Sequence, residues 1–206
     1  TKVCPVKVPD AFNEGLSPTR AISIYSPYAV PKVATINPKH CLRSRFNKDV
    51  CGKCAEACTA KAIKFKQQPK SIQIEVGGIV IAVGSEVFSA SKMPEFGYGH
   101  YKDVISDIEF ERIVNASGPT GGKILCPSTG KSPKTIVFIQ CVGSRDVKRG
   151  NKYCSSVCCT FALKEAIAVK EQLKAVKPTI FFNDMRPYGK GGESYYQKAQ
   201  EELGIE

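Results

Sequence analysis

The sequence predicts an α/β protein built on a parallel sheet, joined to a smaller cysteine-rich module. Residues 135–140 (TIVFIQ) and 179–183 (TIFFN) are short apolar runs that read as buried strands. Residues 156–175 between them follow a helical period, with Leu163, Ile167, Val169 and Leu173 on the apolar side. Strand, helix, strand in that order is a βαβ unit, and its two strands must run parallel. Ten cysteines in 206 residues, against two histidines and no tryptophan, form the second observation. The third is an uneven charge. Residues 1–70 carry 13 Lys/Arg and four Asp/Glu, a net +9 of the total +11, while residues 71–206 are nearly balanced at +2.

In chain order, residues 1–40 are rich in Pro and polar residues, which favours extended segments and turns. Residues 53–62 read as a short helix that places Cys54 and Cys58, four apart, on one face. Residues 71–76 and 78–83 are strand-like, with Gly77-Gly78 marking a hairpin or bend. Residues 107–116 read as a helix with Ile108, Phe110 and Ile113 among its apolar positions, and 117–122 (SGPTGG) as a turn. Pro178 is expected to stop the long helix. In open parallel sheets ligands gather beyond the carboxyl ends of the strands. Cys141, Cys154, Cys158 and Cys159 lie at such a place.

The composition, 42% hydrophobic, supplies a core. No run approaches the roughly 18–20 apolar residues of a membrane span, and Thr1-Lys2-Val3-Cys4 leads into polar sequence without a signal-like pattern. A cytoplasmic location is expected. The absence of an initiator Met and a helical pattern running up to Glu206 suggest a piece of something longer. A basic module can hold nucleic acid, an acidic protein or an anionic inorganic group. No nucleic-acid motif and little aromatic interleaving accompany the charge, so nucleic acid is not the expected partner. A secreted disulfide framework fits poorly with long apolar elements, which leaves thiolates as metal ligands.

Cys41, Cys51, Cys54 and Cys58 are spaced C-x9-C-x2-C-x3-C. A C-x2-C-x3-C run offers three thiolates to an iron–sulfur cube from one loop and the helix after it. Gly52 suits the approach of backbone to inorganic sulfide, and residues 58–63 (CTAKAI) resemble the end of a ferredoxin motif with Thr59 in place of Pro. In two-cluster ferredoxins the fourth Cys of each run ligates the other cluster. On that logic Cys4, followed by Pro5, joins Cys41, Cys51 and Cys54, and Cys58 serves a cluster completed by residues upstream of Thr1. Alternatively Cys41, Cys51, Cys54 and Cys58 close one site, as zinc or iron–sulfur. Lys48, Lys53, Lys61, Lys64 and Lys66 surround this set, where they either favour a reduced cluster and attract an acidic electron carrier or form a solvated face.

The second group, C-x12-C-x3-C-C, matches no common zinc spacing. Cys141 ends a strand, and Cys154, Cys158 and Cys159 come from the entrance and first turn of a helix, whose dipole suits an anionic cluster. Ser155 and Ser156 are natural caps there. A vicinal Cys158–Cys159 disulfide is the alternative. Cys126 reads as a buried small hydrophobe, and His40 and His100 have no evident partners.

Residues 138–146 (FIQCVGSRD) and 153–159 (YCSSVCC) resemble the A-subunit family of heterodisulfide reductase. Residues 12–16 (FNEGL), 29–31 (AVP), 117–122 and 188–191 (YGKG) agree, so the resemblance spans nearly the whole chain. It implies a thioredoxin-reductase-like flavoprotein with an inserted ferredoxin-like α+β domain: a ferredoxin-like iron–sulfur domain over 1–70 and part of the FAD domain over 71–206. It also implies a [4Fe–4S] cluster on Cys141, Cys154, Cys158 and Cys159, others in the ferredoxin part, and FAD. Implied partners are the other subunits of a heterodisulfide reductase-like complex, with ferredoxin or a hydrogenase or dehydrogenase as electron donor. Some members bifurcate electron pairs at the flavin. Ala82-Val83-Gly84 resembles the segment after a flavoprotein strand, with Val83 where Thr is expected. Gly84, Arg186 and Lys190 are the candidate flavin contacts. The Gly-rich phosphate loop of an FAD-binding unit is absent from this sequence.

The expected function is therefore that of an electron-transfer oxidoreductase subunit. The rivals are a zinc-stabilised binding module and a thiol–disulfide oxidoreductase using Cys158 and Cys159.

Overall fold

The computed structural model describes residues 2–46 and 50–206. The chain divides into two compact units, Thr1–Glu86 and Val87–Glu206.

The first unit has little regular structure. β1 (Lys7–Pro9) pairs antiparallel with β2 (Pro18–Arg20), Val8 facing Thr19. Asp10 makes the connection compact: one carboxylate oxygen accepts from Phe12 N at 3.1 Å and the other from Asn13 Nδ2 at 2.9 Å. β3 (Ile22–Ser23) pairs antiparallel with β4 (Thr35–Ile36), and two short helices follow, α1 (Leu42–Phe46) and α2 (Lys53–Glu56). Cys4, Ala21 and Ile22 form the buried centre, packed by Val6, Ile36, Cys41, Cys54 and Ile63.

Two sequence expectations fail here. The helix expected over 53–62 ends at Glu56. None of residues 57–62 is buried, and a short helix without packing does not hold. The hairpin expected over 71–83 is absent, because no residue there enters a strand. Strand propensity describes fit to a half-buried, paired surface. Here Ile72, Ile74, Val76, Ile79, Val80, Ile81 and Val83 are all exposed, Val80 by 92%.

The second unit is organised by β5 (Ile136–Ile139), α4 (Cys158–Gln172) and β6 (Pro178–Phe181). The strands pair in parallel, Ile136 opposite Pro178 and Ile139 opposite Phe181, with α4 as the crossover. The inner face of α4 joins two apolar groups. Leu163 and Ala166 pack with Ile180, Ala199 and Ile205, while Val169 packs with Phe110, Ile124 and Val176. Phe138 touches both groups and meets Phe110 edge to face at 5.8 Å. The strands are not buried throughout, as the continuous apolar runs suggest. Val137, Ile139 and Phe181 are exposed, since the described helices pack on the alternate residues only. Pro178 begins β6 rather than ending α4, which stops at Gln172.

α3 (Asp107–Val114) packs on α4. Its start is a reciprocal capping box: Glu109 N donates to Ser106 Oγ at 3.3 Å, and Ser106 N donates to the Glu109 carboxylate at 2.6 Å. Ser106→Ala is expected to destabilise this unit by about 1 kcal/mol, a shift that chemical denaturation reads directly. α5 (Gly192–Gln197) runs on as a π-helix over Lys198–Glu202. The chain then returns along β6, where Ile180 N donates to Glu206 O and Glu206 N to Pro178 O.

Candidate metal centres

Cys4, Cys41, Cys51 and Cys54 line one pocket in the first unit, together with Ala21, Ile22 and Phe65. The four come from three separated pieces of chain. Cys4 lies just before β1, Cys41 at the start of α1, and Cys51 and Cys54 at the start of α2. The β3–β4 pair supports the wall: Asn37 N donates to Ala21 O at 2.7 Å, and Cys41 N to Asn37 O at 2.9 Å. Arg20 secures the Cys4 segment by donating to Cys4 O at 2.9 Å. Burial pushes the Cys54 thiol above its ordinary pKa, and Cys41 and Cys51 push it the same way. Cys58 is not among the lining residues. Its sulfur accepts from Ala62 N at 3.4 Å, outside the short helix.

In the second unit Cys141 lies two residues beyond β5 in a left-handed conformation, φ 60°. Gly143 turns the chain directly afterwards at φ 75°, and a Cβ there would collide with the Phe88 ring. Cys158 and Cys159 open α4, and Gln140 Nε2 fastens that end by donating to Cys158 O at 3.2 Å. Burial raises the pKa of the Cys159 thiol, and Cys158 and Cys141 raise it further by charge. Cys154 accepts from Ser156 N at 3.4 Å. The expected capping by Ser155 and Ser156 does not occur. Val157 holds the cap position without a side-chain bond, and Ser156, at φ 64°, turns its hydroxyl back to Cys154 O.

All ten cysteines are free thiols. Among the described residues no three His, Cys, Asp or Glu side chains gather as they would around one metal ion. The first cysteine set instead surrounds a pocket.

No family model matches the chain. It is 46% identical to the iron-sulfur A subunit of the CoB–CoM heterodisulfide reductase of Methanocaldococcus jannaschii, over 98% of this chain and 30% of that relative. It is 48% identical to the corresponding iron-sulfur A subunit numbered 2 in Methanopyrus kandleri, over 99% of this chain and 30% of the relative. It is 43% identical to the A subunit of the H(2):CoB-CoM heterodisulfide,ferredoxin reductase of Methanothermobacter marburgensis, with the same coverage. The chain belongs to the family of heterodisulfide reductase A subunits. It spans about 30% of the length of these relatives.

The remaining candidates in this heterodisulfide reductase family member are dispersed. Gly84 belongs to the first unit, at φ 75° with open space where a Cβ would stand. Arg186 and Lys190 belong to the second and are exposed. Arg186 pairs with Asp184 at 3.0 Å. Lys53, Lys61, Lys64 and Lys66 are exposed, and Lys48 lies outside the described residues. Cys126 is half-buried rather than buried, in a turn closed by Gly130 N donating to Cys126 O. No helix among the described residues is long and apolar enough to cross a membrane.

Sequence reading missed two features of this chain. Glu165 is 2% exposed on α4, and its Oε1 has no hydrogen-bond partner among the described residues. Its place between Ala162, Ala166 and Val169, on the apolar stripe of the helix, was the available signal. The other is Asp184, three residues beyond β6, which accepts from Arg145 at 2.6 Å. Its position past a parallel strand's carboxyl end was the clue.

Proposed function

We propose that this chain is an electron-transfer segment of a heterodisulfide reductase-like complex, carrying [4Fe–4S] clusters in both units. The observation that carries this reading is the convergence of Cys4, Cys41, Cys51 and Cys54 on one pocket. Four thiols with no carboxylate or imidazole among them, backed by apolar side chains, are the soft donor set that iron–sulfur clusters take. The crowded, burial-raised Cys54 thiol gains a reason to ionise only when bound iron supplies positive charge. Cys58 is left for a separate cluster. In the second unit Cys141, Cys154, Cys158 and Cys159 form the ligand set.

The names of the relatives support the same reading. One describes an iron-sulfur subunit of CoB–CoM heterodisulfide reductase, and another belongs to a reductase that also acts on ferredoxin. On this reading the partners are the other subunits of such a complex and a ferredoxin, hydrogenase or dehydrogenase donor. FAD, and flavin-based bifurcation with it, rests on the resemblance alone. Of the candidate flavin contacts, Gly84 faces open space and Arg186 pairs with Asp184.

Anaerobic purification with iron, acid-labile sulfide and zinc analysis, followed by electron paramagnetic resonance of the reduced protein, tests the proposal. Cluster signals with matching iron and sulfide are expected. Stoichiometric zinc without a cluster signal would overturn it in favour of a zinc-stabilised binding module. Cys159→Ser is expected to remove the second unit's cluster and spare the first unit's signals.

A further inference from the structure

Arg145 interacts with Cys141 and with the segment that bears Cys154, and reaches the Cys159 segment through Asp184. Its guanidinium donates to the Asp184 carboxylate at 2.6 Å, and its backbone N donates to Tyr153 O at 2.9 Å, next to Cys154. Asp184 in turn accepts through its backbone oxygen a weak hydrogen bond from Cys159 Sγ at 3.9 Å. Asp184, and after it Cys141, hold the Arg145 pKa above its ordinary value by hydrogen bonding and charge. The residue sits at φ 53°, so the backbone accepts an unfavourable conformation to aim it. Arg186 shares the same Asp184 oxygen at 3.0 Å. Two guanidiniums thus face one carboxylate, leaving a net positive charge beside the thiols.

We propose that Arg145 is the positioning residue of the second cluster: its pairing with Asp184 holds the cysteine segments together, and its fixed charge favours the cluster's reduced state. This rests on the reading of Cys141, Cys154, Cys158 and Cys159 as cluster ligands. Adding an electron to a thiolate-bound cluster adds negative charge to an already anionic group. A nearby cation that cannot lose its proton stabilises the reduced form more than the oxidised one. Lysine in the same place keeps the charge but loses the fork geometry that grips Asp184. Charge and shape are therefore separable by substitution.

The test is a redox titration of the intact holoprotein followed by electron paramagnetic resonance. Arg145→Gln is expected to shift the midpoint of the second unit's cluster to lower potential, leaving the first unit's signals where they were. Arg145→Lys is expected to restore most of that shift. Asp184→Asn, which frees both guanidiniums from their carboxylate, is expected to move the midpoint upward. An unchanged midpoint in Arg145→Gln, or the same fall in Arg145→Lys, overturns the proposal. Should Arg145→Gln fail to assemble its cluster, the Arg145→Lys midpoint decides: a value close to that of the unsubstituted protein supports the role and a clear fall overturns it. Retention of all the iron in Cys159→Ser would strike at the ligand assignment instead, so the two failures are distinguishable.

Discussion

Cys54→Ser is expected to remove one cluster, about four irons per chain, and with it much of the order of the first unit. The described strands of that unit are two or three residues long, and three of the eight residues at its centre are cysteines. A module with so small an apolar centre needs a staple, and metal binding then doubles as folding energy. The variant should lose cooperative unfolding of residues 1–86 in hydrogen exchange, with protection over β5, α4 and β6 retained. Cys58→Ser should leave the same cluster in place, because Cys58 lies outside the pocket lined by Cys4, Cys41, Cys51 and Cys54. Paired iron analyses separate the ligand sets. If Cys58→Ser loses this cluster and Cys4→Ser keeps it, the four cysteines close in sequence are the ligands.

Glu165→Gln is expected to raise stability at alkaline pH and to change little in acid. Burial, then the charges of Asp107 and Glu111 on α3, raise the Glu165 pKa from 4.5 to about 8, with Lys164 opposing. The folded chain therefore keeps a proton that the unfolded chain releases above about pH 4.5. Stability from this group is complete below that pH and falls as pH rises, by about 1.4 kcal/mol per unit until the folded carboxyl also ionises near 8. At pH 7 the accumulated loss is roughly 3 kcal/mol, a large share of the 5–15 kcal/mol typical of a domain. Glutamine cannot ionise and escapes that loss. Thermal unfolding of both forms from pH 5 to pH 9 should give midpoints that converge at the acid end, separate as pH rises, and hold a level separation above about pH 8. A constant separation would show that packing, not ionisation, distinguishes them.

The β5–α4–β6 unit was legible because its apolar runs and the amphipathic helix between them are local properties of consecutive residues. The helix 107–114 was legible on the same grounds. Residues 71–83 were not, since alternation predicts a strand only where another strand supplies the hydrogen bonds, and no described strand does. The pocket of the first unit was half legible. The ferredoxin pattern suggested Cys4 with Cys41, Cys51 and Cys54 and set Cys58 apart, while the spacing alone allowed Cys41, Cys51, Cys54 and Cys58 to close one site; the pocket of the fold is lined by the first four. Arg145 and Asp184 lie 39 residues apart, and pairing across such a gap leaves no trace in local pattern.

The exposed run from Ile72 to Val83 will govern how this chain behaves in solution. Seven exposed aliphatic side chains on backbone without ladder partners offer a segment to which a second copy can add. Lys70 and Glu75 are the charges that stand against such stacking, while Gly77 and Gly78 loosen the run. Self-association that steepens with concentration and with salt should therefore begin here, at a distance in sequence from both cysteine sets. A charged substitution at Val80 is the natural gatekeeper for keeping the chain monodisperse.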